Sequence, residues 1–189
     1  MPSEGASLAA EQLDALQELM NIAFGHASAE LAHALDRGVG LTVPAAQVMP
    51  AVLLRYYVGA ELKGEGRVAI LEQAFAGELQ GSAFLVLPEA VGDEELRRIG
   101  GVLVRACVER LAELLGGAVR FEEPRVARAE RREAAARADV FRKELPALVL
   151  GTAFHLEAPA ATGHLFLTCS AEAIRWLQGA LPRFLARYA

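Results

Sequence analysis

Residues 16–44 (LQELMNIAFGHASAELAHALDRGVGLTVP) and 96–124 (LRRIGGVLVRACVERLAELLGGAVRFEEP) follow one pattern at a constant offset of 80. Leu16/Leu96, Leu31/Leu111, Ala32/Ala112, Leu35/Leu115 and Pro44/Pro124 are identical at that offset. A chain that keeps its apolar positions in two copies must build two like halves around a shared core. The polar positions do not agree. Glu18 and Asn21 of the first copy meet Arg98 and Gly101 in the second. A duplicated core with one unequal polar pair reads as one working site and one lost site.

The elements follow from periodicity. Leu13, Leu16, Met20, Ala23, Phe24, Ala27, Leu31 and Leu35 recur at steps of three and four, which predicts a helix with one buried stripe over 13–35. Ser7 or a near neighbour can begin it, and Asp36-Arg37-Gly38 can end it. Residues 41–48 read as an edge strand or strand start, since Pro44 interrupts them. Residues 53–65 read as a short helical turn and a Gly-Glu-Gly loop. Residues 67–73 and 82–87 are β-prone runs around a glycine-bounded turn, hence a hairpin stopped by Pro88.

The second half repeats this order. Asp93, Glu94 and Glu95 put negative charge at the start of a helix that stops at Gly116-Gly117. Residues 121–126 are the counterpart strand, and 125–143, rich in Ala, Arg and Glu, read as a solvated helical connection. Residues 147–155 and 163–169 form a second hairpin, in which Phe154 and Gly163 match Phe75 and Gly81. Residues 171–188 close the chain as an amphipathic helix. The fold class is therefore α+β: two long helices on one face of a mainly antiparallel sheet, with an approximate internal two-fold axis. Residues 1–189 read as one domain of two repeats, about 13–91 and 93–181.

Composition narrows the function. At 189 residues and 53% hydrophobic, with mean hydropathy +0.27, the chain has ample apolar surface for a core. A net charge of −5 argues against a nucleic-acid or anionic-membrane partner. No run reaches the roughly 20 apolar residues of a membrane span, and the first residues do not read as a signal peptide, so a cytoplasmic protein is expected. Cys107 and Cys169 lie in apolar contexts and read as small buried hydrophobes, and no metal-ligand cluster is spaced along the chain.

Glu18 and Asn21, three apart, lie within roughly 60° of each other on a helix. Gly25 and Ser28 continue that face, so two reaching side chains stand above two with almost no bulk. A glycine in mid-helix costs about 1 kcal/mol relative to alanine, which points to close approach by another surface. Either Glu18 and Asn21 are ordinary solvated helix residues or they form a site, and the second copy shows that the fold does not demand them. His26 beside this face reads as a packed or partly exposed histidine rather than a base. His33, His155 and His164 have no spacing that proposes a triad, and no phosphate-binding glycine motif is present.

The run from Glu18 through Asn21-Ile22 to Gly25-His26-Ala27 resembles the helix motif of CheC-type phosphatases of bacterial chemotaxis, a family that includes CheX and FliY. The Phe75-to-Gly81 hairpin and the Leu41-Thr-Val-Pro44 element resemble it too, so the similarity extends over about residues 13–181. The resemblance implies hydrolysis of the aspartyl phosphate on a CheY-like receiver domain of a response regulator. It implies that Asn21 orients the attacking water and that Glu18 docks against the receiver's active-site lysine. Gly25 and Ser28 would allow close approach. The chain would need no metal of its own, since the Mg2+ is expected on the receiver. Arg98 and Gly101 replace a second Glu-x-x-Asn of many family members, which implies one active site and a degenerate second. Met20 and Phe24 also depart from the family's small residues. The expected protein is a monomer. The alternatives are a non-catalytic chemotaxis or flagellar-switch scaffold that binds a receiver or a CheD-like deamidase, and a small-ligand sensor.

Overall fold

The structure is a computed structural model and describes residues 7–42, 45–137, 146–158 and 160–187. Its elements are α1 (Ala10–Leu35), β1 (Val39–Leu41), β2 (Ala45–Pro50), α2 (Ala51–Glu61), β3 (Arg67–Gly77), β4 (Gly81–Pro88) and α3 (Asp93–Leu114). They continue with β5 (Val119–Phe121), β6 (Arg125–Glu130), α4 (Arg131–Arg137), β7 (Pro146–Leu156), β8 (Ala161–Cys169) and α5 (Ala171–Leu185).

Both hairpins form, and they meet at the centre of one antiparallel sheet. The strand order is β1-β7-β8-β4-β3-β5, with β2 also paired to β7 and β6 to β3. In the β4–β8 ladder Phe84 lies opposite Phe166, and the pairing runs from Gly81 opposite Cys169 to Val86 opposite His164. Phe75 opposes Gly81 in one hairpin and Phe154 opposes Gly163 in the other, as their sequence contexts suggest. At Gly163 a Cβ would lie 2.2 Å from Phe154 Cζ and 2.7 Å from Leu87 Cδ2, so the ring occupies the space a side chain would need.

The outer strands are exchanged between copies. The first copy's β1 and β2 pair with β7, and the second copy's β5 and β6 pair with β3. Equivalent buried side chains secure the two joints. Thr152 Oγ1 donates to the Thr42 carbonyl at 2.8 Å, and Gln73 Nε2 donates to the Glu122 carbonyl at 3.0 Å. Because each copy supplies the edge of the other's half-sheet, neither half completes its ladder alone.

Strand alternation divides the core between two faces. Leu71, Leu85, Leu87, Leu165 and Leu167 meet α1, α3 and α5 on one side, where Leu16, Leu31, Leu96, Leu111 and Leu177 are buried. Burying each such leucine is worth about 1.5–3 kcal/mol. Val68, Ile70, Phe84, Val86 and Phe166 point the other way, toward Val58, Leu62 and Ala134.

The α+β architecture is as expected, with the long helices α1 and α3 on one face of a mainly antiparallel sheet. A third helix, α5, joins α1 and α3, and α2 and α4 cover the opposite face. Residues 51–61 make a full helix of 11 residues rather than a short turn. Residues 125–130 are strand rather than helical connection. Their Ala, Arg and Glu favour helix, but the open edge of β3 and the burial of Ala129 in the second core win. The remainder of that connection, 138–145, lies outside the described residues, as do Pro44 of the repeat and residues 188–189. The first helix begins at Ala10, where Gln12 Oε1 accepts from the Ala9 N–H at 3.0 Å. It ends as expected at Asp36, in the left-handed region at φ 51°.

Candidate functional site

Helix α1 presents its inner stripe to the sheet and α3, and its outer stripe to solvent. Leu16, Leu19, Met20, Ala23, Phe24, Ala27 and Leu31 are buried. Glu18 is exposed, Asn21 half-buried, Gly25 exposed and Ser28 half-buried. The helix therefore brings the four candidate residues to one accessible face. A Cβ built on Gly25 meets nothing within 4 Å, so no contact among the described residues requires the glycine. Ser28 Oγ donates to the Gly25 carbonyl at 3.1 Å, which ties its hydroxyl to its own helix. His26 Nε2 stands 2.9 Å from Glu30 Oε1 in an exposed i, i+4 pair.

On α3, Arg98 and Gly101 are likewise exposed, and Gly101 also has open space where a Cβ would go. The rest of that face differs. Arg105, at the position of Gly25, lies with its guanidinium 5.1 Å above the Phe121 ring and its Nη1 3.9 Å from Glu109. Val108, which the repeat aligns with Ser28, is fully buried rather than set on the outer face, because on α3 it falls in the buried stripe with Val104, Leu111 and Ala112. A groove of about 340 Å³ runs between the two helices, lined by His26, Glu30, Gly101, Arg105, Glu109 and Arg110. Arg37, at the end of α1, pairs with Glu95 in the first turn of α3 and pins the two helices.

Both cysteines are buried and free. Burial pushes the Cys169 thiol up to about 12, and burial together with the nearby Glu30 carboxylate raises Cys107 well above the usual thiol range. On the opposite face of the sheet a recess of about 110 Å³ is lined by Thr42, Tyr57, Glu61, Thr152 and His164. Burial, then Glu61, raises the Tyr57 phenol. Burial, then the Arg131 charge, lowers the His164 imidazole, which stacks on Phe166 at 6.1 Å. Among the described residues no group of three His, Cys, Asp or Glu side chains can hold a metal ion, and no helix is long and apolar enough to cross a membrane.

Sequence reasoning passed over Ile22. It falls off the buried stripe yet is 46% exposed beside Asn21. The signal was present, since a large hydrocarbon out of phase with the three-and-four pattern is an exception on an amphipathic helix.

This fold, with helices on both faces of one antiparallel sheet, is shared with solved structures of FliY and of the FliM middle domain. Thermotoga maritima FliY superposes with a TM-score of 0.69 at 17% identity, over 94% of this chain and 98% of that one. The H. pylori FliM middle domain gives 0.63 at 8% identity, over 92% and 99%. Residues 11–47, which hold the candidate site, match the model of the CheC-like family. A curated relative, the CheY-P phosphatase CheC of Bacillus subtilis, is 30% identical over 92 residues, 48% of this chain and 42% of that protein. The match thus spans less than half the length of that relative. The likeness to the CheC-like family thus lies in the α1 segment that carries Glu18 and Asn21, and the likeness to FliY and FliM is one of fold.

Proposed function

We propose that this chain is a cytoplasmic, monomeric phosphatase acting on the aspartyl phosphate of a CheY-like receiver domain, with one site on α1. The observation that carries the reading is the outward pair Glu18 and Asn21, set beside a glycine whose surroundings are open. An acyl phosphate is already activated, and its hydrolysis needs mainly in-line placement of water and neutralisation of charge. The Asn21 carboxamide accepts from or donates to that water and aims it at phosphorus. Water oxygen bonds to phosphorus, the bond from phosphorus to the aspartyl oxygen breaks, and the products are inorganic phosphate and the free carboxylate. Glu18 pairs with the receiver's lysine and fixes the orientation. The Mg2+ held by the receiver neutralises the phosphoryl oxygens.

The degenerate Arg98 and Gly101 favour a second reading, a scaffold that binds a receiver or a CheD-like deamidase without hydrolysis. Gly101 has no amide to place water, and Arg98 reverses the docking charge.

The decay of phosphorylated receivers separates the two. Asn21→Ala is expected to abolish turnover with the fold intact, and Glu18→Ala to weaken both receiver binding and turnover. Full activity in Asn21→Ala overturns the mechanism. Binding without any dephosphorylation by the wild type selects the scaffold.

A further inference from the structure

Ile22 stands where an amphipathic helix has no packing reason to place a large hydrocarbon. Its chain neighbours toward the core, Met20 and Ala23, are each 1% exposed, whereas Ile22 is 46% exposed. Its neighbours on the outer face are Glu18 one turn before and Gly25 and His26 one turn after. Asn21 lies beside it, about 100° around the helix. Gly25 and the exposed Ala29 leave a low floor, above which Ile22 rises as a knob within a polar surround. The other exposed large hydrocarbons and rings among the described residues, Val52, Leu53, Tyr56 and Leu185, lie on α2 and α5. The counterpart 80 residues on, Val102, is half-buried in the groove between α1 and α3.

We propose that Ile22 is the apolar anchor that positions the phosphorylated receiver over Asn21, and so a specificity-determining residue. The inference rests on the phosphatase reading above and names what the partner must present. Helix α1 carries Glu11, Asp14, Glu18 and Glu30 and no lysine or arginine. A matching receiver surface has an apolar hollow with a cationic rim beside its phosphoaspartate. The middle of a contact, ringed by groups that exclude water, is the setting in which a desolvated side chain contributes most to binding. Ile22 touches no reacting atom. It fixes the docked position, one residue from the carboxamide that aims the water.

The test compares Ile22→Ala, Ile22→Asp and Ile22→Leu with the wild type. It reads KM and kcat for dephosphorylation and Kd for the receiver loaded with beryllofluoride and magnesium. Ile22→Ala is expected to raise KM and Kd about fivefold and Ile22→Asp more than about tenfold. Values of kcat at saturation stay within about twofold, Ile22→Leu restores the wild-type KM, and thermal stability is retained. Unchanged KM and Kd in Ile22→Asp overturn the anchor while leaving the phosphatase reading intact if Asn21→Ala is inactive. Full turnover in Asn21→Ala removes the phosphatase mechanism, and the Kd series then decides the anchor by itself. A wild-type chain that neither binds nor hydrolyses any receiver of its own organism sinks both.

Discussion

Gly25→Ala is expected to make this protein more stable and less active. Gly25 is the sixteenth residue of a 26-residue helix, and the added methyl meets nothing within 4 Å. The substitution therefore gains helix propensity without strain, about 0.5–1 kcal/mol. For a chain of this size 1 kcal/mol moves Tm by about 2–4 °C, so a rise of about 1–4 °C is expected. Gly100 on α3 is the internal contrast. There a Cβ would lie 2.8 Å from Cδ1 of the fully buried Leu71, so overpacking of about 1–3 kcal/mol offsets the propensity gain and Gly100→Ala lowers Tm. The functional effect at Gly25 has the opposite sign to the stability effect. If a receiver approaches the α1 backbone there, a methyl group displaces it, and displacement of about 1 Å from the reactive geometry can reduce turnover about a hundredfold. Thermal melts and receiver dephosphorylation measured on the same preparation decide the matter. A raised Tm with unaltered kcat and KM removes Gly25 from the docking face. A lowered Tm refutes the open-space geometry from which the argument starts.

Two further outcomes follow from the same geometry. Placing Arg98→Glu and Gly101→Asn in an Asn21→Ala background rebuilds the pair on α3, where Gly101 has room for a side chain. Measurable turnover should return, at a raised KM because Val102 is half-buried where Ile22 projects, and a folded variant as inert as Asn21→Ala alone refutes the equivalence of the two faces. His164 gives a pH dependence of stability. Burial and Arg131 lower its folded-state pKa below 6.5, so the unfolded chain binds the proton more readily. Its contribution is present above pH 6.5 and is lost as pH falls from there toward the folded-state value. Melts between pH 8 and 5 should show a decline that His164→Gln flattens, and parallel profiles for the two proteins refute the assignment.

The parts of this molecule that the sequence exposed are those in which local pattern and tertiary demand agree. Helix α1 shows its stripe in every turn, and Phe75/Gly81 and Phe154/Gly163 mark two hairpins as cross-strand pairs, with the Phe154 ring filling the space above Gly163 and the Thr168 backbone lying against Gly81. Strand β6 was hidden. Arg-Val-Ala-Arg-Ala-Glu has the composition of a helix, and only the unpaired edge of β3, more than 50 residues earlier, makes it a strand. Helix α2 was hidden for the converse reason. Ala-Val-Leu-Leu-Arg-Tyr-Tyr carries apolar groups on every side, so periodicity does not report which of them Val58 and Leu62 join in the second core. At the site, Glu18 and Asn21 were readable as a spacing, but the half-exposed Ile22 and the closed-off Val108 depend on helix rotation against the sheet.

The distribution of kept and changed residues in the two copies follows the same division between inside and outside. Leu16 and Leu96, and Leu31 and Leu111, are identical pairs and essentially buried. Glu18 and Arg98 differ and both are exposed. Exchange of the outer strands explains why this pattern persists. With β1 and β2 completing the β7 edge and β5 and β6 completing the β3 edge, damage to the core of either copy opens the sheet of the other. The outer faces of α1 and α3 carry no such constraint, since the side chains there meet solvent. A protein built this way can lose the polar pair from one helix without losing the scaffold that holds the other pair in place. The change to Arg98 and Gly101 therefore leaves intact the scaffold on which Glu18 and Asn21 stand, and whether α1 hydrolyses or only binds is decided at α1 itself.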